Sequence, residues 1–179
     1  MRVPMNDPKR LFDQLAAPIR EAVDRVLSSG WYLLGDETSN FEQSFAEVCG
    51  ADHCIGVANG TDALELALLA LEVGKGSEVV TVANAGGYAT AAAIAVGACP
   101  VYVDIDPKTL TLDLESVAAA LSEATRVVIA THLYGYAVDV PQLRRILDGA
   151  DRADVRIIED CAQAHGAAIR GSAVGGLGD

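Results

Sequence analysis

Apolar positions along the chain alternate between two periods. Ile19, Val23, Val26 and Leu27 recur at i, i+4, i+7 and i+8, the stripe of an amphipathic helix with Pro18 in its first turn and Gly30 at its end. Trp31-Tyr32-Leu33-Leu34-Gly35 follows as an aromatic and aliphatic cluster between helices, which a small domain leaves uncovered only at a cost; a partner subunit or another segment is expected over it. Ser39 with Glu42 reads as a capping box for a second helix whose buried face is Phe41, Phe45 and Val48. A short strand over Cys54–Ala58 then runs through Asn59-Gly60-Thr61-Asp62 into a helix with Ala63, Leu64, Ala67, Leu68 and Leu71 on its apolar side.

Gly74 and Gly76 stop that helix, and strands are expected at Glu78–Val82, Pro100–Val103, Val127–Ala130 and Val155–Glu159. Helices are expected between them at Thr90–Val96, Leu114–Leu121 and Pro141–Leu147. Strands alternating with helices predict βαβ units, and hence an α/β fold with a mostly parallel sheet and helices on both faces. The glycine-rich stretch from Gly171 to Asp179 reads as a loop that leads nowhere, so the chain is expected to be truncated with its sheet unfinished.

Composition narrows the function classes. At 179 residues and 51% hydrophobic content the chain can fill a sizeable core. A formal charge of −12 without a local basic run argues against nucleic acid. Cys49, Cys54, Cys99 and Cys161 show no CxxC spacing, and His53, His132 and His165 give no metal-ligand pattern, so reduced cysteines and no metal are expected. Residues 1–8 lack the apolar core of a secretory leader, and no apolar run reaches the roughly 18–20 residues of a bilayer span. A soluble cytoplasmic protein without membrane contact is the expectation.

The chemistry gathers where apolar runs end in polar groups. Val155 to Ile158 suits an inside strand, and it ends in Glu159-Asp160-Cys161-Ala162-Gln163-Ala164-His165-Gly166. Ligands of open α/β sheets collect beyond the carboxyl ends of strands, which puts Asp160 and Gln163 at such a crevice. Gly60-Thr61-Asp62 opens a helix, where free amides and the positive end of the helix dipole suit an anion; Thr61 or Asp62 acting only as a cap is the plainer alternative. Asp104 and Asp106, followed by Pro107, suit an Asx-type turn better than a metal or an acid–base pair. Gly74-Lys75-Gly76-Ser77 lacks the P-loop spacing, and no GxGxxG follows a strand, which disfavours an oxidoreductase. Together the sites ask for a ligand with a phosphate at Thr61, an aromatic ring near Tyr88 and a ring nitrogen at Asp160. Pyridoxal phosphate has that shape, and an ionised acid keeps its pyridine nitrogen protonated, which Asn does not.

Several motifs in order carry a family resemblance. They are Ser29-Gly30-Trp31-Tyr32-Leu33-Leu34-Gly35, Val57-Ala58-Asn59-Gly60-Thr61-Asp62-Ala63-Leu64, Pro100-Val101-Tyr102-Val103-Asp104, His132-Leu133-Tyr134-Gly135, Glu159 through Gly166, and Gly176-Leu177-Gly178-Asp179. Across nearly its whole length the chain resembles the DegT/DnrJ/EryC1/StrS aminotransferases, which transfer an amino group to keto-sugar nucleotides. The resemblance implies the fold-type I transferase architecture, with residues 1–179 as the N-terminal part of the cofactor-binding large domain. It also implies pyridoxal 5'-phosphate or pyridoxamine 5'-phosphate as cofactor and a homodimer with active sites at the interface. By that likeness Gly60, Thr61 and the Asp62 amide meet the phosphate, Asp160 the pyridinium and Gln163 the ring hydroxyl. Gly86 stands where the family usually carries a stacking aromatic, and Tyr88 is expected to reach back into that role.

The family's Schiff-base lysine is expected beyond Asp179. Lys9, Lys75 and Lys108 all precede the Asp160 strand, so no catalytic lysine is assigned and the chain alone is expected to be inactive. The intact enzyme would move an amine from an amino acid such as glutamate onto a nucleotide-linked keto-sugar. A sugar dehydratase of the same family, with histidine for lysine, and a non-catalytic cofactor-binding or interaction remnant are the alternatives.

Overall fold

The computed structural model describes residue 4 and residues 6–179; the reading of residues 1–8 as lacking a leader lies partly outside them. Residues up to Phe45 form one compact unit and Ala46–Asp179 a second.

The first unit is helical. Helix α1 spans Pro8–Ser29, capped by Asp7, whose side chain accepts the Arg10 amide, and closed by Gly30 in the left-handed conformation at φ 70°. It therefore starts ten residues before Pro18, which lies inside the helix rather than in its first turn. The apolar stripe explains the longer helix, because Leu11 and Leu15 extend the four-residue repeat of Ile19, Val23 and Leu27 through the proline. All five are exposed, as are Trp31, Tyr32, Leu33 and Leu34. Helix α2 covers Asp36–Cys49. It begins before Ser39, whose amide bonds to Gly35 O, so the expected capping box is an interior pair; Phe41 and Val48 are exposed, and Ala46 is the buried residue.

The second unit holds the sheet. Strands β1 (Glu78–Val82), β2 (Cys99–Val103), β3 (Thr125–Thr131) and β4 (Arg156–Asp160) are all parallel, in the order β2-β1-β3-β4. Branched residues fill the inner strands, with Val79, Val80, Val127, Val128 and Ile129 fully buried. Helices α3 (Gly60–Ala70) and α4 (Tyr88–Ala95) pack on one face, where Leu64, Leu68, Ala89, Ala92 and Ala93 meet Val79, Val127 and Ile129. Helices α5 (Leu114–Ala120) and α6 (Val140–Gly149) pack on the other, through Val117, Leu143 and Leu147 against Val80, Val128 and Ile157. The alternation of neighbouring residues between these two clusters assigns every strand side chain to a face.

Cys54–Ala58 is not a strand: it finds no ladder partner among the described residues, and Ile55 is exposed. Helix α4 starts two residues ahead of Thr90, because Gly87, at φ 80°, supplies its N-terminal turn. The glycine-rich end is ordered rather than loose. Strands β5 (Ala168–Ile169) and β6 (Ser172–Ala173) form a small antiparallel pair, and Asp179 then pairs with β4, its amide donating to Ile157 O at 2.8 Å. Asp106 makes the expected turn, its carboxylate accepting the Lys108 amide at 2.7 Å. No described helix is long and apolar enough to cross a membrane.

Candidate cofactor site

The candidate residues gather at the carboxyl edge of the sheet, on the α3/α4 face. Helix α3 returns to the start of β1 through a short link, so it runs against that strand and its first turn lies at the strand's carboxyl end. Helix α4 follows β1 directly, so its N-terminus is at the same edge. Asp160 ends β4 and shares a face with Ile158, which packs against the α3/α4 cluster.

Asn59, rather than Thr61 or Asp62, caps α3: its Oδ1 accepts the Asp62 amide at 3.0 Å. Asn59 thus holds the Asp62 amide, one of the three groups read as phosphate ligands. The Gly60 and Thr61 amides have no acceptor within the helix and remain, with the Thr61 hydroxyl, at its positive end.

Gly86 and Gly87 take φ 74° and 80°, conformations glycine adopts without strain. The chain doubles back there and lays the Tyr88 ring over Gly86. A Cβ on Gly86 would stand 3.0 Å from Tyr88 Cε2, so the tyrosine fills the space where a side chain at position 86 would begin. Tyr88 remains exposed.

Asp160 Oδ1 accepts the Ala162 amide at 3.2 Å, and the Asp160 carbonyl accepts the His132 amide at 3.0 Å. Gln163 Oε1 accepts the Tyr134 amide at 3.1 Å, which leaves the amide N–H groups of Gln163 as donors. Tyr134 adopts a left-handed φ of 55° in the 3-10 turn Leu133–Gly135 that presents this amide.

Glu159 is the functional-looking residue that sequence reasoning left aside. It points to the opposite face, its side chain 3% exposed, and accepts four hydrogen bonds: from His132 Nε2 at 3.0 Å and from the amides of Gly175, Leu177 and Gly178 at 2.7–3.0 Å. Val138 N–H donates to His132 Nδ1 at 2.9 Å, so the imidazole proton sits on Nε2 and the ring is neutral. Burial works to raise the Glu159 pKa, but His132 and the three amides together hold it below the ordinary value. His132, Glu159 and Cys161 bring ligand-type atoms within 4.8 Å of one another. Both imidazole nitrogens and both carboxylate oxygens are already committed, so this cluster is a structural brace. Its only sequence signal was an acid directly beside Asp160, which by strand alternation must face away from it.

The family model of the DegT/DnrJ/EryC1/StrS aminotransferases matches residues 13–179. A dTDP-3-amino-3,6-dideoxy-alpha-D-galactopyranose transaminase from Aneurinibacillus thermoaerophilus is 41% identical over 99% of this chain and 48% of its own length. The crystal structure of S. venezuelae DesV in complex with a ketimine intermediate superposes with a TM-score of 0.92 at 42% identity, over 98% of this chain and 46% of that one. NtdA from Bacillus subtilis with bound cofactor PMP gives a TM-score of 0.84 at 31% identity, over 92% of this chain and 38% of that one. The chain thus spans just under half the length of the curated relative described above. With a family model matched from residue 13 to the last residue, and a parallel sheet that overlays a solved aminotransferase, the chain belongs to the DegT/DnrJ/EryC1/StrS aminotransferase family.

Proposed function

We propose that this chain is the N-terminal, cofactor-holding part of a pyridoxal phosphate-dependent aminotransferase that acts on a nucleotide-linked keto-sugar, with an amino acid such as glutamate as donor. The observation that carries the reading is that Asp160 and Gln163 follow the carboxyl end of β4, at the edge of the sheet face that α3 and α4 cover. The residues fit the group chemically. Gly60 and Thr61 offer amides and a hydroxyl to a phosphate, Tyr88 an aromatic face, Gln163 two N–H donors to a ring oxygen, and Asp160 a carboxylate to a ring nitrogen. The Thr131 hydroxyl, enclosed on the same face and without a hydrogen-bond partner among the described residues, adds a polar group to it. When bound, pyridoxal phosphate supplies an electron sink for carbanion chemistry at the amino-bearing carbon. The chain's share is to anchor the phosphate, orient the ring and keep the proton on its nitrogen. A lysine for the proton transfers is not among Lys9, Lys75 and Lys108: Lys9 lies in α1, Lys75 in the link before β1, and Lys108 in the turn after β2.

The related enzymes described above support the substrate and cofactor classes. The exposed stripe of α1 and the Trp31–Leu34 cluster support a homodimer for the intact protein, and four unpaired cysteines support a cytoplasmic setting. The test is equilibrium binding of pyridoxal phosphate followed by borohydride reduction and peptide mapping. Reversible binding that Asp160→Asn weakens about tenfold, with no single lysine labelled stoichiometrically, is expected. Equal binding by wild type and Asp160→Asn removes Asp160 from the site.

A further inference from the structure

We propose that Thr131 is a positioning residue for Asp160, its hydroxyl donating a hydrogen bond to the Asp160 carboxylate when a protonated ring nitrogen lies against that acid. The inference rests on the cofactor reading above and adds a residue to it.

Thr131 ends β3 and is the direct register partner of Asp160 at the end of β4. Both side chains project onto the α3/α4 face: Thr131 follows Val127 and Ile129 at two-residue spacing, and Asp160 follows Ile158. Thr131 is 8% exposed, yet its Oγ1 has no hydrogen-bond partner among the described residues. A buried hydroxyl left unpaired costs stability, and valine, of the same shape, would fill the position without that cost. Directly across, Asp160 engages one oxygen with the Ala162 amide, while no donor among the described residues reaches Oδ2. A donor without an acceptor and a carboxylate with an open oxygen are therefore cross-strand neighbours, on strands about 4.8 Å apart. Side chains of directly opposed residues at this spacing are within reach of one another, and rotation about χ1 of Thr131 and χ2 of Asp160 is the movement the proposed bond requires.

The chemical gain follows from the charge state. A hydrogen bond donated to an ionised carboxylate stabilises that form, so the proton shared with a pyridine nitrogen stays on the ring. It also fixes the carboxylate plane from the side opposite the Ala162 amide, as outer hydrogen bonds orient ligating groups at other sites. Thr81 provides an internal comparison. It is fully buried on β1 with a hydroxyl equally unpartnered among the described residues, but its register partner on β2 is Tyr102 and β3 separates it from β4, so no carboxylate of these strands stands opposite it.

The experiment uses Thr131→Val, Thr131→Ser and Thr81→Val in the 179-residue chain. Urea unfolding of the free chain and pyridoxal phosphate binding, with the pH dependence of the bound absorbance band, are the readouts. Thr131→Val is expected to unfold at the same or higher urea than wild type when free, to bind pyridoxal phosphate about 5–10-fold more weakly, and to show a smaller ring-protonated absorbance band across the pH range. Thr131→Ser should restore both binding and band, and Thr81→Val should leave binding unchanged. A free Thr131→Val chain clearly less stable than wild type overturns the proposal by showing that the hydroxyl is satisfied within the protein. Wild-type binding and an unchanged band in Thr131→Val overturn the positioning role alone. Failure of wild type to bind pyridoxal phosphate overturns the cofactor reading, and the Thr131 role falls with it.

Discussion

Gly176 lies directly on the backbone of Cys49, so that a Cβ at position 176 would stand 2.5 Å from the Cys49 carbonyl oxygen. Gly178 is equally confined, with its missing Cβ 2.7 Å from Ile157 O. Both neighbours are backbone atoms, which yield less readily than the end of a flexible side chain. Gly176→Ala and Gly178→Ala are therefore each expected to destabilise the chain by about 2–4 kcal/mol. Gly149→Ala, with nothing within 4 Å of the added carbon and no positive φ, should be neutral or stabilising by about 0.4–1 kcal/mol. Urea midpoints of the three variants decide; an unaffected Gly176→Ala chain would show that this segment does not pack on Cys49.

Glu159 joins four donors through two oxygens, and glutamine would point an N–H group at two of them. Glu159→Gln is expected to cost about 2–4 kcal/mol despite its nearly identical shape. Hydrogen exchange should localise the loss to residues 174–179. A change below about 0.5 kcal/mol would contradict the hub geometry.

Acid should release the same segment. Burial works to raise the pKa of both Glu159 and Asp179. The donors around Glu159, and the Ile157 amide with Arg144 and Arg156 around Asp179, outweigh it and hold both below their ordinary values. A carboxylate whose folded pKa lies below its unfolded one adds stability that is complete above the unfolded value and disappears as pH falls through the folded one. Protection of the Leu177, Gly178 and Asp179 amides is thus expected to be flat from about pH 6 upward and to fall below about pH 4. Protection that falls instead between pH 6 and 8 would shift the titration to another group.

The cysteines should differ in reactivity. Burial, with Glu159 and Asp160 nearby, pushes the Cys161 thiol up to about 12, whereas Cys99 is exposed. Iodoacetamide at pH 8 is expected to alkylate Cys99 first and Cys161 at least about tenfold more slowly, as read by peptide mass spectrometry. Faster labelling of Cys161 would mean that the segment over it opens readily.

Where local chemistry decides, sequence and structure agree. The strands at Glu78–Val82 and near Val127–Ala130 are runs of branched residues, and Gly30 marks a helix end because it takes a left-handed turn. Asp160 and Gln163 are legible as candidate site residues because a buried strand ends there in polar groups. The expectations that failed depended on partners. Pro18 has the character of a helix start, but α1 runs through it because the apolar stripe continues back to Leu11. Cys54–Ala58 has strand composition but no neighbour to pair with among the described residues.

The sequence by itself therefore determined the α/β alternation and the family, because these follow from periodicity, turn chemistry and short ordered motifs, and it supplied the candidates proposed for a phosphate and a ring nitrogen. The tertiary structure alone decided that Glu159 braces the glycine-rich end, that Tyr88 lies over Gly86, and that Thr131 stands opposite Asp160 with its hydroxyl unpaired. Each of these depends on strand register or on contact between distant segments. A residue's neighbours across a sheet are fixed by how the chain packs, and no local pattern records them.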